Sequence, residues 1–304
     1  MAERYAIVTG ANKGIGLEVC RQLARNGIMA ILTSRDEQRG LEAVRKLENA
    51  GLSGLVAFHP LDVTRRDSVA SIAEFVKTSF GKLDILVNNA GVSGVAFHAD
   101  ARARLTSMGY GKRGVMPVFE GIATETSELA EECIKTNYYG TKMMVEEFVD
   151  LLQLSDSPRI VNNSSNWGRL ENIPNKSAMR VLADIKNLNE EKVDEIVEEF
   201  LKDFKQGLLE TKGWPTSLSA YTMSKAALNA YTFMIAEKYP SVITNSVCPG
   251  YVKTNIAMNL GNLSAEEGAE AIVRIALLPK GSSSGCFFRR KGRDSILHLV
   301  RWSS

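Results

Sequence analysis

Thr9-Gly10-Ala11-Asn12-Lys13-Gly14-Ile15-Gly16 is the stretch on which the reading of this chain turns. Before it, Tyr5-Ala6-Ile7-Val8-Thr9 is short and apolar, as a strand buried on both faces is. After it, Ile15, Val19 and Leu23 recur at helical spacing until Gly27 stops the helix. Glycines between a strand and a helix permit a tight turn and a close backbone approach to a pyrophosphate. The helix N-terminus adds unpaired N–H groups and a favourable dipole. A glycine trio alone is a weak signal, but at the first strand-to-helix junction of a parallel sheet it marks a dinucleotide site. Gly10, Asn12, Lys13, Gly14, Ile15 and Gly16 are the candidates to line it.

Working outward, the alternation continues. Residues 29–34 read as a second strand and 35–50 as a polar-faced helix; 55–59 is a third strand, 67–80 a helix and 83–87 a fourth strand. Further strands are predicted over 159–164, 242–247 and 285–288, with helices over 127–152, 219–239 and after Ser264. Apolar strands separated by helices predict an α/β fold, a doubly wound parallel sheet covered on both faces, as one domain over 1–288. Two stretches break the rhythm. Residues 93–124 have no sustained period and read as a long loop; 170–213 are polar and mostly helical, an insertion. Together they are expected to form a substrate lid, with Met108, Met116, Phe119, Trp167, Met179 and Trp214 as apolar side chains available to line a pocket. Residues 289–304, with Arg289, Arg290, Lys291, Arg293 and Arg301 against Asp294, are expected to be a disordered solvated tail.

Composition narrows the function. The chain has 304 residues, 44% hydrophobic and 24% charged, enough for one large core. A net charge of +2, carried by the C-terminal stretch, argues against a nucleic-acid partner. Cys20, Cys133, Cys248 and Cys286 lie far apart without a CxxC pair, which argues against a disulfide scaffold and a zinc site. With His59, His98 and His298 as the histidines, no metal is expected. No apolar run approaches the roughly 18 residues of a membrane span. A cytoplasmic protein with no membrane partner is the expectation.

The second strand ends in Thr33-Ser34-Arg35, where an acid would bind the 2′-hydroxyl of NAD. Arg35, with Lys13, suits a 2′-phosphate instead, so NADPH is the expected cofactor; Asp36 beside it is the opposing feature. Tyr221 and Lys225, four apart on a helix, share a face. A neighbouring ammonium lowers the pKa of a phenol from its ordinary value near 10, which makes proton transfer useful at neutral pH.

The order of these motifs is the specific part. The glycine turn is followed by Asp62-Val63, Asn88-Asn89-Ala90-Gly91, Asn137, Ser164-Ser165, Tyr221-Thr222-Met223-Ser224-Lys225 and Pro249-Gly250-Tyr251-Val252-Lys253-Thr254. In this the chain resembles the short-chain dehydrogenase/reductase family, over residues 4–288 and with a Rossmann-like fold implied. The 56 positions between Ser165 and Tyr221 resemble its carbonyl-reductase-like branch, whose helical insertion covers the usual oligomer face and implies a monomer. The resemblance implies Tyr221 as proton donor to a substrate carbonyl. It implies Lys225 as holder of the nicotinamide ribose, Ser165 as a hydrogen-bond partner of the substrate oxygen, and Asn137 as holder of a water behind Lys225. Asp62 and Val63 would meet the adenine, Asn89 a ribose, and Val252 and Thr254 the nicotinamide carboxamide. In this branch a glutamate in place of the tyrosine accompanies carbon–carbon double-bond reduction, so Tyr221 implies carbonyl reduction.

The activity implied is NADPH-dependent reduction of a small-molecule ketone, of cyclic monoterpenoid (menthone-like) or alkaloid type, to a secondary alcohol. A broad-range carbonyl reductase and a non-catalytic NADPH-binding member are the alternatives. One departure bears on the site. Asn162-Asn163-Ser164-Ser165 has an amide at 163, where the family usually carries valine. An unpaired buried amide there would cost about 1–3 kcal/mol.

Overall fold

Parallel pairing of short apolar strands organises the chain. The computed structural model describes residues 4–109, 121–290 and 292–294. Among the described residues ten strands alternate with eleven α-helices. The strands are β1 (Tyr5–Val8), β2 (Met29–Ser34), β3 (Val56–Pro60), β4 (Ile85–Asn88), β5 (Ala96–Phe97), β6 (Ala123–Thr124), β7 (Arg159–Asn163), β8 (Ile243–Cys248), β9 (Cys286–Arg289) and β10 (Gly292–Asp294). Eight of them form one sheet in the order β10-β9-β8-β7-β4-β1-β2-β3, every pair parallel except β9–β10; β5 and β6 pair as a separate antiparallel ribbon. The strand order reverses across β1 and β4, which opens a crevice at the strands' carboxyl ends.

Side-chain alternation sends each strand's apolar groups into two cores. On β1 and β2, Ile7 and Ile31 face one, while Ala6, Val8, Ala30 and Leu32 face the other. The second core is covered by α1 (Gly14–Arg25), α2 (Glu37–Leu47) and α11 (Ala265–Ala276). The first lies under α3 (Arg66–Phe80), α5 (Ser127–Ile134), α6 (Gly140–Gln153) and α10 (Ser219–Lys238). The single helix expected over 127–152 is two, joined through a π-helical turn at Lys135–Tyr139 that contains Asn137. Such turns insert one residue into the helical ladder and are frequent at functional sites.

The remaining helices are α4 (Ala101–Ser107), next to the β5–β6 ribbon, and the insertion's α7 (Lys176–Ala183), α8 (Glu190–Lys205) and α9 (Leu209–Lys212). The α8 helix packs on α5 and α10. Its Asp194 takes a bond from the Tyr138 hydroxyl at 2.8 Å and pairs with Lys142 at 2.7 Å, and Glu190 bridges Lys142 and Lys238 at 3.2 and 3.1 Å. Trp214 is buried, donating from Nε1 to Asp203 at 2.8 Å with its ring edge-on to Phe200. It and Met179 belong to this core, not to a ligand pocket, because the insertion needs apolar mass of its own. Met108 is exposed, and Met116 and Phe119 lie outside the described residues.

The expected break after residue 288 is corrected. The β9 strand runs on through Arg289, and β10 returns antiparallel, pairing Gly292 with Arg289 and Asp294 with Phe287. Antiparallel bonding covers an edge that β9 would otherwise leave open. Arg290 pairs with Glu267 at 3.2 Å, and Arg274 donates to the carbonyls of Arg289 and Arg290. Residues 295–304 lie outside the described residues. Among the described residues no helix is long and apolar enough to cross a membrane.

The Asp194 cluster sets the first prediction. Asp194→Ala leaves the fully buried Tyr138 hydroxyl and Lys142 without their shared acceptor, and is expected to cost about 1–3 kcal/mol. Urea unfolding should show a lower midpoint at unchanged slope.

Candidate active site

The loops leaving β1, β2, β4, β7 and β8 open into one cavity of about 840 Å³. The Thr9 hydroxyl sets its floor, accepting from the backbone N–H groups of Asn89 and Ala90 at 2.9 Å each and donating to the Val87 carbonyl at 3.4 Å. That joins the ends of β1 and β4. Gly10 follows with φ +62°, and a Cβ there would stand 3.0 Å from the Ala90 Cα, so the turn requires glycine both for its dihedral and for the close approach. Asn89 fastens the turn from the other side: its Nδ2 donates to the carbonyls of Thr9 at 2.9 Å and Gly10 at 3.2 Å.

Gly10, Asn12, Lys13, Gly14, Ile15, Gly16, Arg35, Asp62, Val63, Asn89, Ser165, Tyr221, Lys225, Val252 and Thr254 all line this cavity. Sequence positions more than 200 apart are thus brought together. Lys13, from the glycine turn, and Arg35 and Arg39, from the end of β2 and the start of α2, supply cations to the wall. Arg35 and Arg39 are largely exposed; Arg35 lies 4.0 Å from Glu132, and Arg39 pairs with Asp36 at 3.2 Å. Asp36 is occupied in addition as the cap of α2, accepting from the Arg39 N–H at 3.0 Å. Asp62 turns its carboxylate onto its own loop, accepting from the Thr64 N–H at 2.9 Å and hydroxyl at 2.7 Å.

At the β7 end stand Ser165, Tyr221 and Lys225. Ser165 begins a 3₁₀ turn, its Oγ accepting from the Trp167 N–H at 3.2 Å. The turn ends at Gly168, where a Cβ would meet the Lys225 carbonyl carbon at 2.5 Å. Only glycine permits that contact between the turn and α10, and it sets the serine beside the helix that carries the other two residues. Tyr221 is in the first turn of α10, and Lys225, one turn on, holds its Nζ 5.7 Å from the Tyr221 ring centroid. The Lys225 ammonium donates to the Asn163 carbonyl at 2.8 Å. Burial pushes its pKa from 10.5 down to about 8, with the neighbouring Cys133 and Cys248 acting in the opposite sense.

Asn137 is placed differently from the other expected residues. It is buried behind the wall, not on it, in the π-helical turn. Its Oδ1 accepts from the Val92 N–H at 2.9 Å, and its Nδ2 lies 3.0 Å from both the Val92 carbonyl and the Ser224 hydroxyl. All of its side-chain groups serve to pin the loop after β4 to α10. Asn163, feared unpaired, donates from Nδ2 to Asn89 Oδ1 at 3.0 Å and is only half-buried, on the cavity wall.

Other contributors carried no sequence signal, Arg39 excepted: it follows Arg35 by four, in the first turn of α2. Phe97 comes from the two-residue β5, Leu218 from the residue before α10, and Ile256 and Met258 from a 3₁₀ turn at Asn255–Ala257 and its end. Leu218 holds the left-handed conformation (φ 46°, ψ 44°) immediately before α10, a strained state for a leucine. Beside it Glu125 caps α10, accepting from the Ser219 N–H at 3.0 Å and from the Ser219 hydroxyl. Burial pushes the Glu125 carboxyl up, against the lowering effect of those bonds.

The arrangement offers a glycine turn and helix N-terminus for a pyrophosphate, a cation cluster at one end, and a phenol, hydroxyl and ammonium at the other. It fits a nicotinamide dinucleotide lying across the strand ends.

Comparison with known proteins agrees. A family model described as short chain dehydrogenase matches residues 4–178. The chain is 54% identical over 289 residues to Short-chain dehydrogenase/reductase 1 of Saponaria officinalis, covering 95% of this chain and 94% of that protein. It is 54% identical over 293 residues to (+)-neomenthol dehydrogenase of Arabidopsis thaliana, covering 95% and 96%. The structure of salutaridine reductase from Papaver somniferum superposes with a TM-score of 0.89 at 51% identity, covering 94% of this chain and 99% of that one. With its whole fold matched and its motifs gathered on one crevice, the chain is an oxidoreductase that belongs to the short-chain dehydrogenase/reductase family.

Proposed function

We propose that the protein reduces a mid-sized apolar ketone, of cyclic terpenoid or alkaloid type, to a secondary alcohol with NADPH. The observation that carries this reading is the single crevice with Lys13, Arg35 and Arg39 at one end and Ser165, Tyr221 and Lys225 at the other. Two points favour NADPH over NADH. The cations are grouped where a 2′-phosphate would lie, and Asp36, the acid that could take a 2′-hydroxyl, is engaged by α2 and Arg39. NADPH, when bound, supplies the hydride.

The residues of the chain would position and polarise. Tyr221 would give its proton to the carbonyl oxygen, Ser165 would hold that oxygen as charge develops, and Lys225 would hold the nicotinamide ribose and favour loss of the tyrosine proton. Asn137 would act through others, keeping Val92 and α10 in register. Asp62 and Val63, Asn89, and Val252 with Thr254 would contact adenine, ribose and carboxamide in turn. Substrate character follows from the wall beside Tyr221, where Phe97, Trp167, Leu218, Ile256 and Met258 give an apolar surface. The names of relatives support the class: (+)-neomenthol dehydrogenase, 54% identical, and salutaridine reductase, 51% identical, act on such molecules. Residues 93–109 and 121–124, with the insertion, would act as the lid, and the packing of α8 over α5 and α10 supports a monomer.

The direct test is loss of NADPH absorbance with menthone, salutaridine and simple ketones; absence of turnover across the panel would overturn the reading. Tyr221→Phe is expected to lower kcat at least about 100-fold while leaving the affinity for NADPH almost unchanged, as followed by fluorescence titration.

A second expectation follows from Lys225. Its folded pKa, about 8, lies below the ordinary 10.5, so protonating the buried amine costs the folded state. That cost is full below about pH 8 and gone above about 10.5. Lys225→Met should therefore raise the melting temperature of the cofactor-free protein by a few degrees at pH 7, with the gain shrinking toward pH 10, and should abolish turnover throughout. A gain independent of pH would show that the amine's charge is not its source.

A further inference from the structure

We infer that Asn163 is a cofactor-binding residue, its side-chain oxygen accepting a hydrogen bond from the nicotinamide half of the dinucleotide; this rests on the cofactor reading above. The argument begins with amide orientation. Asn89 donates from Nδ2 to two backbone carbonyls, Thr9 at 2.9 Å and Gly10 at 3.2 Å, and carbonyls only accept. Its Oδ1 must therefore face the other way, toward β7. There it meets the Asn163 side chain at 3.0 Å, and only the amide nitrogen of Asn163 can answer an oxygen. The orientation of one amide thus dictates that of the next, and Asn163 Oδ1 is left without a donor among the described residues, on the wall of the cavity.

The adjacent residue shows what a closed arrangement looks like. Asn162 is fully buried, with its Oδ1 taking a bond from Asn88 at 2.9 Å and its Nδ2 donating to Thr232 at 2.8 Å. Asn163 is half-buried and spends one end only. Its backbone carbonyl holds the Lys225 ammonium at 2.8 Å, which puts the open oxygen at the end of the crevice assigned to the nicotinamide and its ribose. Lys225 can only donate there; Asn163 adds an acceptor. The ligand groups of matching chemistry are the carboxamide N–H and the ribose hydroxyls.

The experiment uses the full chain and fluorescence titration. NADPH and 2′,5′-ADP, which lacks the nicotinamide half, are titrated into the parent protein, Asn163→Val and Asn163→Ala. NADPH is expected to bind the variants about fivefold to tenfold more weakly, the worth of one hydrogen bond, with 2′,5′-ADP unchanged. A reduced analogue carrying an acetyl group for the carboxamide separates the two donors: equal affinity for parent and variants identifies the carboxamide, and a retained difference identifies the ribose. Equal weakening of NADPH and 2′,5′-ADP would mean that the amide merely props Asn89 and the glycine turn, and would overturn the inference. So would unchanged NADPH affinity in the variants. Failure of the parent to bind NADPH would instead sink the cofactor reading, and this inference with it.

Discussion

Everything at the crevice depends on one hydroxyl group. Thr9 follows β1 directly with an acceptor that takes two consecutive backbone N–H groups from the loop after β4. Those N–H groups lie where the sheet ladder stops, and unpaired they would each carry the cost of a lost hydrogen bond. By satisfying both, Thr9 brings the ends of two neighbouring strands to one level, so that the glycine turn and the Asn89–Gly91 loop meet edge to edge. Valine at position 9 would match the volume and supply neither function.

From that floor the site is assembled by short polar links between adjacent strand ends, with apolar packing behind. Two cores above and below the sheet fix the strands, and the helices sit where their apolar faces put them. The α10 helix is instead buried nearly all round, with Ser224, Lys225, Asn229 and Thr232 among its buried residues. Burying so many polar groups is tolerable because each of these finds a partner: Ser224 and Asn137, Lys225 and Asn163, Asn229 and Ser164, Thr232 and Asn162. The lysine bears a further cost, an amine held away from water, and its pKa is pushed down to about 8 as a result.

Legibility in the sequence followed the range of the interactions. The strands and the glycine turn were readable because their signals are local: β-branched runs, helical spacing, glycine at a junction. The gathering of Arg35, Asp62, Asn89, Ser165, Tyr221 and Val252 on one crevice followed from their position after successive strands, since parallel topology carries all carboxyl ends to one side. What stayed hidden depends on contacts between distant segments. The place of Asn137 behind the wall rests on a one-residue shift in the helical ladder, which no apolar period announces. The cap that Glu125 provides for α10 spans 94 positions, and no period announces it. Leu218 gives no sign of its left-handed backbone, because leucine is a poor marker for it. The strand at 292–294 was obscured by charge, which outweighs β-propensity when the partner strand is unseen.

The links that close the crevice also say when it can exist. Asn89 reaches Thr9 across 80 positions, Asn163 reaches Asn89 across 74, and Lys225 reaches Asn163 across 62. The full set is complete only when β1, β4, β7 and α10 are all in place, and non-local parallel pairing is the slow part of folding. A nascent or partly folded chain therefore possesses strands and helices but no site, and a molecule that binds in the crevice adds its free energy to the completed sheet alone. Occupancy by such a molecule in the cell would then set the lifetime of this protein as well as its activity.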